Sequence, residues 1–463
     1  MKKQLPLCAT PLLGLLACGG PLDDLPLDTT EQAVTGTRVD RSLAITDPTI
    51  LARFSFTRTQ DAIGATAGTL ATTETRLAIY QRWMRSFDVG ADGCDRTSID
   101  PNDYGIRCPR TAEAKLATIN PFAAGATVQF VPVGLFNRFD LMPSTGAHCG
   151  EYRIVYAMKT TAGAPLAGRG FIIFEAALPN PDPALGVEGC LPIAQFWQRL
   201  TTDASVTSRA TKLENFFYRG TAIPGVGAVV RAQNYGLSTA AGAALSGRPG
   251  QIRTNMFIDF FEWHLRDYKL RTSCTAAAGC KLLVDQQTVK VNPAEELFAG
   301  THARSADFRA VFPAQVRRLA STDVNTIGMG ISNTFNEFES VSQAGNVVYR
   351  VAANTAMRTA IQTELTRIGS ALSVSNILDR ATTQTCAGCH QVSGGQPLGG
   401  GLSWPGSSGF VHIDESSNLS PALTTVFLPH RLALLERFIT AREPVPGATI
   451  DDTIAGRPLD APN

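Results

Sequence analysis

Two cysteines and a histidine lie within five residues near the C-terminal end of the chain. They occur as Cys386-Ala-Gly-Cys389-His390. At this spacing each thiol can add to one vinyl group of a porphyrin while the adjacent imidazole ligates the iron. The pattern therefore predicts one covalently bound haem c. Two other uses of such a pair are a redox dithiol, which the absence of a strand-then-helix pattern disfavours, and half of a zinc site, which would need a second close Cys/His pair.

Helical patterns flank the motif and must position it. Apolar spacing predicts helices over 354–372 and 431–441, and Ser373 is a candidate N-cap for a helical turn that runs into Cys386. Residues 294–299 and 305–320 also have helical patterns. A haem motif between helices is expected to place those helices against the edges of the porphyrin.

The segment from about 354 to 442 resembles the class I cytochrome c family, over about a fifth of the chain. The matching residues are Cys386, Cys389 and His390, followed by Gln396-Pro397-Leu398-Gly399-Gly400. The resemblance implies a small all-α haem domain, which we delimit as 351–442. It also implies that the carbonyl group of Pro397 accepts the other ring N–H of His390 and fixes the orientation of the imidazole.

The sequence departs from that family at the second axial ligand, which is normally a methionine well downstream. No methionine follows Met357, and the downstream histidines are His412 and His430. We therefore take His412 as the distal candidate and His430 as the alternative. Met329 or Met357 could instead reach the iron from upstream, or the iron could be five-coordinate. A histidine in place of methionine is expected to lower the reduction potential.

A long region before the motif has the pattern of a β-rich body with flanking helices. Runs of β-branched and aromatic residues bounded by turn residues predict strands at 128–136, 152–156, 170–178, 256–270 and 281–291. Helical spacing predicts helices within 50–87, at 192–200 and at 212–218. The fold class is thus α+β, with a disulfide-braced body over 48–350 and the all-α haem domain after it.

The body contains no recognisable catalytic motif. Two of its segments, 134–141 and 149–155, resemble a set of exported, uncharacterised proteins of Gram-negative bacteria that include myxobacteria, and this resemblance implies no activity. His148, His264 and His302 are scattered, without a metalloprotease, Ser-His-Asp or phosphate-loop pattern. Arg138 with Asp140, and Glu151 with Arg153, are expected to form structural ion pairs.

Six of the ten cysteines remain when Cys386, Cys389 and the two N-terminal cysteines, Cys8 and Cys18, are set aside. Fifteen pairings of six cysteines are possible in principle. Short loops close most readily in an oxidising compartment, which favours the nearest partners. The predicted disulfides are Cys94 with Cys108, Cys149 with Cys190, and Cys274 with Cys280.

The N-terminus has the features of an export signal. Lys2 and Lys3 precede a short apolar run, which ends in Leu15-Leu16-Ala17-Cys18-Gly19. This ending resembles the lipobox of bacterial lipoproteins. The resemblance implies a signal peptide at 1–17, a diacylglycerol on Cys18, and a location in the cell envelope as an outer-membrane lipoprotein that faces the periplasm or the cell surface. Residues 18–47 would form a tether, and 443–463 a flexible tail.

Composition limits the partners of the protein. Of the 463 residues, 44% are apolar and 17% are charged, and the formal net charge is +1 without a long basic run. Binding to nucleic acid through a basic surface therefore has no support. The sequence predicts a membrane-anchored c-type haem protein that transfers electrons to a partner it does not identify. The alternatives are a haem-dependent peroxidase or oxygenase with an open distal site, and a binding or structural lipoprotein without haem.

Overall fold

The structure of the chain, a computed structural model, describes residues 38–69, 74–90, 93–94, 102–239, 245, 247–277, 279–343 and 349–442. The predicted signal peptide, Cys18, the tether up to residue 37 and the C-terminal tail lie outside these residues. No helix in the described part of the chain combines the length and the apolar character needed to cross a membrane.

One antiparallel sheet of eight strands runs through the body. Seven strands lie side by side in their chain order, and the eighth pairs with the first residues of β6, on the edge that β7 occupies further along. The strands are β1 Ala44–Ile45, β2 Val128–Arg138, β3 His148–Thr160, β4 Arg169–Pro179, β5 Gln251–Phe257, β6 Glu262–Thr275, β7 Gly279–Gln287 and β8 Ser340–Gln343. A separate two-stranded sheet pairs β9 Pro397–Gly399 with β10 Leu402–Ser403.

Helices cover the sheet and form most of the C-terminal part. Before β5 they are α1 Pro48–Leu51, α2 Phe56–Thr66, α3 Arg76–Arg85, α4 Thr111–Ala114, α5 Leu191–Thr202 and α6 Val206–Tyr218. After β7 they are α7 Glu295–Ala299, α8 Ser305–Val311, α9 Val316–Leu319, α10 Tyr349–Ala352, α11 Thr355–Arg367, α12 Val374–Thr383 and α13 Leu428–Ala441. Two π-helical segments, Gly388–Val392 and Ala422–Phe427, lie between α12 and α13.

The predicted α+β character is confirmed in its coarse form, as helices combined with an antiparallel sheet. The three predicted disulfides are also present, Cys94–Cys108, Cys149–Cys190 and Cys274–Cys280. The C-terminal segment 351–442 contains α11, α12 and α13, but also the β9–β10 pair, so its described residues are not purely helical.

The two faces of the sheet differ in polarity because successive side chains of a strand point in opposite directions. On one face Tyr152, Tyr156 and Phe174 pack against α2, α5 and α6, for example through the Tyr152–Trp197 stack at 5.5 Å. The other face carries charged residues in register. Arg153 is opposite Glu175, Arg253 is opposite Asp267, and Arg138 is opposite Glu151.

Apolar side chains of the C-terminal segment are divided between two cores. Val411, Ile413, Leu432 and Phe438 belong to the core that includes the sheet and the N-terminal helices. Helices α11 and α12 belong to a second core together with α7 to α9. Gly134 of β2 shows how closely the segment approaches the sheet, because an added Cβ there would lie 2.8 Å from the Ile413 side chain. The Cys-Ala-Gly-Cys-His motif therefore lies between the two cores.

Candidate functional site

Helix α12 leads directly into the motif. It begins at a capping box in which Ser373 and Asn376 satisfy each other's backbone groups, which confirms Ser373 as an N-cap. The chain then turns tightly through the motif. A Cβ on Gly388 would lie 1.7 Å from the carbonyl oxygen of Thr382, so only glycine fits between the two cysteines at this position.

The two motif thiols are the free cysteines of the described chain. Cys386 and Cys389 are each partly exposed and are not bonded to each other. Burial raises the pKa of Cys386 to about 12 and that of Cys389 to about 11. Both groups are therefore neutral thiols at pH 7, in a chain whose other described cysteines are paired.

His390 is oriented by a backbone carbonyl. Its Nδ1 lies 2.7 Å from the carbonyl oxygen of Phe410, so Nδ1 carries the proton and Nε2 keeps its lone pair. Burial lowers the pKa of His390 to about 4, which keeps the ring neutral at pH 7. A carbonyl partner of this kind is what a metal-binding histidine requires.

The sequence predicts that the carbonyl group of Pro397 accepts this N–H. In the structure, the carbonyl group of Phe410 lies next to Nδ1 of His390 instead. Pro397 begins β9, and the carbonyl groups that follow it, those of Leu398 and Gly399, accept hydrogen bonds of 2.8 and 2.9 Å from Arg380. The two residues after Pro397 thus bind an arginine of α12. Phe410 reaches His390 from a loop twenty residues further along the chain.

His412 contacts both the second cysteine and the first histidine of the site. Its Nε2 lies 3.3 Å from the Sγ of Cys389, and its ring centroid is 4.6 Å from that of His390. The Nδ1 of His412 lies 2.9 Å from the Oγ of Ser420, which is fully buried. Burial, together with nearby positive groups, holds the pKa of His412 well below its usual value, so it is a neutral ring whose Nε2 can accept the Cys389 S–H.

The other candidates for the second ligand lie in different surroundings. His430 is in the first turn of α13, where burial lowers its pKa and Asp323, Asp140 and two arginines supply the nearest charges. Met329 and Met357 are both buried in the second core. Of the residues that the sequence singles out for this position, His412 is the one that the structure brings into ring contact with His390.

A layer of buried charges lies beneath the motif on the polar face of the sheet. Arg253 and Asp267 act electrostatically on Cys386, and Arg431, Arg138 and Arg253 act on Cys389. We call the side chains that are joined by ion pairs in this layer the ion layer. Its members are Arg138, Asp140, Glu151, Arg153, Glu175, Arg253, Asp267, Lys290 and Arg431.

The expected pairs Arg138–Asp140 and Arg153–Glu151 are present in this layer, at 2.8 and 2.5 Å. The roles of Arg253, Arg431 and Ser420 were not predicted. The sequence gives no signal for a buried ion layer, because charges that alternate with apolar residues along a strand are typical of a sheet with one solvated face.

The donor chemistry at the motif fits a c-type haem. Two unpaired thiols are partly accessible, and the adjacent imidazole is neutral with Nε2 available. His412 and His390 are too close to bind a planar macrocycle from opposite sides as they stand, with 4.6 Å between the ring centroids. In the described part of the chain, no group of three or more His, Cys, Asp or Glu side chains is arranged to hold a metal ion.

Comparisons of the chain with protein-family models, with curated proteins and with solved structures gave no match in any of the three. The function is therefore argued from the residues of the site.

Proposed function

We propose that the protein is a c-type haem protein that transfers single electrons. Cys386 and Cys389 would hold one haem through thioether bonds, and His390 would ligate its iron. The bound group supplies an iron that cycles between Fe(III) and Fe(II). The observation that carries the proposal is the pair of unpaired thiols beside His390, whose Nδ1 binds the Phe410 carbonyl and leaves Nε2 free.

In this proposal His412 would be the second protein ligand of the iron. The Oγ of Ser420 fixes its Nδ1, so that Nε2 faces the motif. The loop that carries His412 must move away from His390 for both rings to bind one iron.

A second imidazole ligand would favour electron transfer over oxygen or peroxide chemistry, because both oxygen and peroxide need a free position on the iron. Residues 351–442 would then be the cytochrome c-like part of the chain, and the body before them would dock a redox partner. The lipobox at Cys18 would attach the protein to the outer membrane on its periplasmic or external side.

The test is to express the exported full-length chain with a c-type maturation system and to stain denatured protein for covalent haem. Oxidised and reduced visible spectra, with a titration by carbon monoxide, then report the ligands of the iron. We expect a low-spin spectrum that is unaffected by carbon monoxide. His412→Ala should give high-spin iron that binds carbon monoxide, because it removes one of the two imidazoles.

His430→Ala is the matched control, and its spectra should equal those of the unaltered protein. If His430→Ala rather than His412→Ala exposes the iron, the assignment of the second ligand is wrong. If the unaltered protein itself binds carbon monoxide readily, the open-site haem enzyme replaces the electron carrier. If no haem remains on the denatured chain, both haem functions are excluded.

A further inference from the structure

Two phenylalanines are exposed side by side in the turn between β5 and β6. Phe260 is 60% exposed and Phe261 is 79% exposed. The other exposed large apolar side chains of the described residues are isolated in the sequence, namely Val89, Leu185 and Val351. We call residues 258–261 the aromatic turn. A pair of adjacent apolar rings in solvent is a candidate contact site, because contiguous exposed apolar surface marks places where proteins bind other molecules or membranes.

A buried arginine holds both ends of the aromatic turn. Arg110, which is 7% exposed, contacts Asp259 at 2.8 Å on one side of the two rings and Glu262 at 3.3 Å on the other. The backbone N–H of Phe261 also donates to Oδ1 of Asp259 at 3.1 Å. These contacts fix the direction of the turn, so both rings are presented from a rigid base.

The backbone of Phe260 is strained. Its φ is 62°, in the left-handed region where the Cβ of an L-residue is crowded and where an aromatic residue is rare. Asparagine or glycine would adopt this conformation at a lower cost, so folding of the turn alone does not account for a phenylalanine. A strained residue whose ring is also exposed to water indicates a use for that ring outside the folded chain.

The aromatic turn is connected to the motif through other rings. The ring centroid of Phe260 is 5.9 Å from that of Phe257, which in turn is 6.2 Å from that of Phe410. The carbonyl group of Phe410 is the one that accepts a hydrogen bond from His390. A surface that binds the turn would therefore lie on the side of the molecule where Phe410 orients His390.

The exposed area of the two rings is too small for a stable interface with another protein. An aromatic side chain has an area of about 150–250 Å², so the exposed fractions of Phe260 and Phe261 together leave about 300 Å² in solvent. A specific protein interface needs about 800 Å² on each partner. Two rings at the end of a turn can instead enter the interfacial layer of a lipid bilayer, where aromatic side chains are favoured.

The predicted lipid on Cys18 would hold the molecule close enough to a membrane for this contact. Arg38, the first described residue, follows Cys18 by 20 residues. An extended chain of that length spans at most about 70 Å. A folded unit of about 400 residues is about 55 Å across, so the tether permits contact by any face. This reach rests on the proposed lipid anchor, whereas the affinity of the aromatic turn for a membrane does not.

We propose that the aromatic turn is a membrane-contact site, at which Phe260 and Phe261 insert into the interfacial layer of a phospholipid bilayer. The lipid on Cys18 tethers the protein, and the turn orients it so that the motif lies on the membrane side. The tether keeps the turn at a high effective concentration next to the bilayer, so that a weak contact is sufficient to orient the protein.

The first experiment measures binding of the lipid-free chain to vesicles. Residues 19–463 are exported with the signal peptide of a secreted protein and cosedimented with vesicles of phosphatidylethanolamine and phosphatidylglycerol. We expect binding that persists at high salt, because apolar insertion is not screened. Phe260→Asn/Phe261→Asn should weaken this binding about 30-fold, since two rings lose the free energy of transfer out of water.

Leu185→Asn/Val351→Asn is the matched control, because these two side chains are 57% and 79% exposed in other parts of the chain. Its binding should equal that of the unaltered chain. Asparagine tolerates the left-handed backbone, so Phe260→Asn should not lower the melting temperature. A loss of stability in Phe260→Asn without any loss of vesicle binding would make the ring a packing element and overturn the proposal.

The second experiment measures insertion directly. Phe261→Trp adds an exposed tryptophan to a chain whose four natural tryptophans are at most 5% exposed. Vesicles that contain brominated acyl chains should quench the added fluorescence and leave that of the unaltered chain nearly unchanged. Absence of quenching at saturating lipid would refute insertion of the turn.

Absence of vesicle binding by the unaltered chain would also overturn the proposal. If that chain instead forms dimers in sedimentation velocity, and Phe260→Asn/Phe261→Asn dissociates them, the turn is a contact between two copies of the protein. Both experiments use the chain without haem and without lipid. A chain that binds vesicles through the turn but never carries covalent haem would therefore refute the proposed function and leave the membrane-contact site in place.

Discussion

Arg380 shows at the scale of a single residue how the segment after the motif is held. Its side chain is 1% exposed and donates to four carbonyl oxygens, two of them beyond Pro397 and two at the end of α9. These hydrogen bonds connect β9 to the second core. The segment that contains Pro397 therefore binds Arg380 in this chain, and the carbonyl group of Phe410 orients His390.

Replacement of Arg380 by Met should destabilise the protein strongly. Four buried carbonyl groups lose their donor, and each buried acceptor that is left unsatisfied costs about 1–3 kcal/mol. Urea unfolding followed by circular dichroism measures the change. Arg367→Met is the control, because Arg367 is 60% exposed and pairs with Glu364 on the surface of α11. A similar effect of both substitutions would contradict the role given to Arg380.

The site itself could be predicted from the sequence only where its residues are neighbours in the chain. Cys386, Cys389 and His390 follow from spacing alone. His412 could be named as a candidate, but its contact with Cys389 depends on a loop whose course no local pattern specifies. The place of Arg431 next to a strand residue, Arg138, depends on packing between distant parts of the chain.

At the scale of elements, the strands with clear turn signals were predicted well. The runs at 128–136, 152–156 and 170–178 lie within β2, β3 and β4, and Gly and Pro mark the turns between them. The sequence predicts one strand over 256–270, where the structure has the end of β5 and most of β6. The turn between them contains Phe260 at φ 62°, a position where an aromatic residue is rare, so composition gave no sign of it.

The helices are likewise predicted in part. The apolar spacing of 305–320 predicted one helix, but α8 and α9 are separated by a 3₁₀ segment, Phe312–Gln315, that contains Pro313. Proline lacks the N–H that would continue an α-helical ladder, and its ring crowds the preceding turn. Nearest-neighbour closure predicted all three disulfides because each pair is close in sequence, with separations of 14, 41 and 6 residues.

The disulfides should differ in what they contribute to stability. Chain entropy predicts that loss of the Cys149–Cys190 bridge, with its separation of 41 residues, costs about 4 kcal/mol, and loss of Cys274–Cys280, with a separation of 6, about 2 kcal/mol. Double Cys→Ser variants of each pair, unfolded in urea, measure the two values. A larger loss from the shorter loop would show that native packing, and not loop closure, dominates.

At the scale of the whole molecule, the haem-motif segment is integrated into the rest of the chain. Its apolar side chains belong to two cores, one shared with the sheet and one with α7 to α9. The sequence suggested a separate domain because the motif lies between helical patterns. Periodicity identifies which side chains are buried, but not which elements cover them.

Residues 351–442 should therefore not fold when expressed alone. Removed from the chain, the segment exposes Val411, Ile413 and Phe438 on one side and Met357 and Ile361 on the other. We expect poor chemical-shift dispersion in its NMR spectrum and no cooperative thermal transition, whereas the full-length chain should unfold cooperatively. A fragment that folds with dispersed resonances would show that the haem segment is an independent domain.

The closeness in sequence of each disulfide pair also has a consequence for the export and haem attachment that we propose. A chain that crosses a membrane from its N-terminus presents all six disulfide cysteines to the oxidant before Cys386 arrives. Each of the six has its partner nearby and can close its own loop early. When Cys386 and Cys389 emerge, the six body cysteines are already paired, so both thiols stay reduced, as the proposed attachment of haem would require.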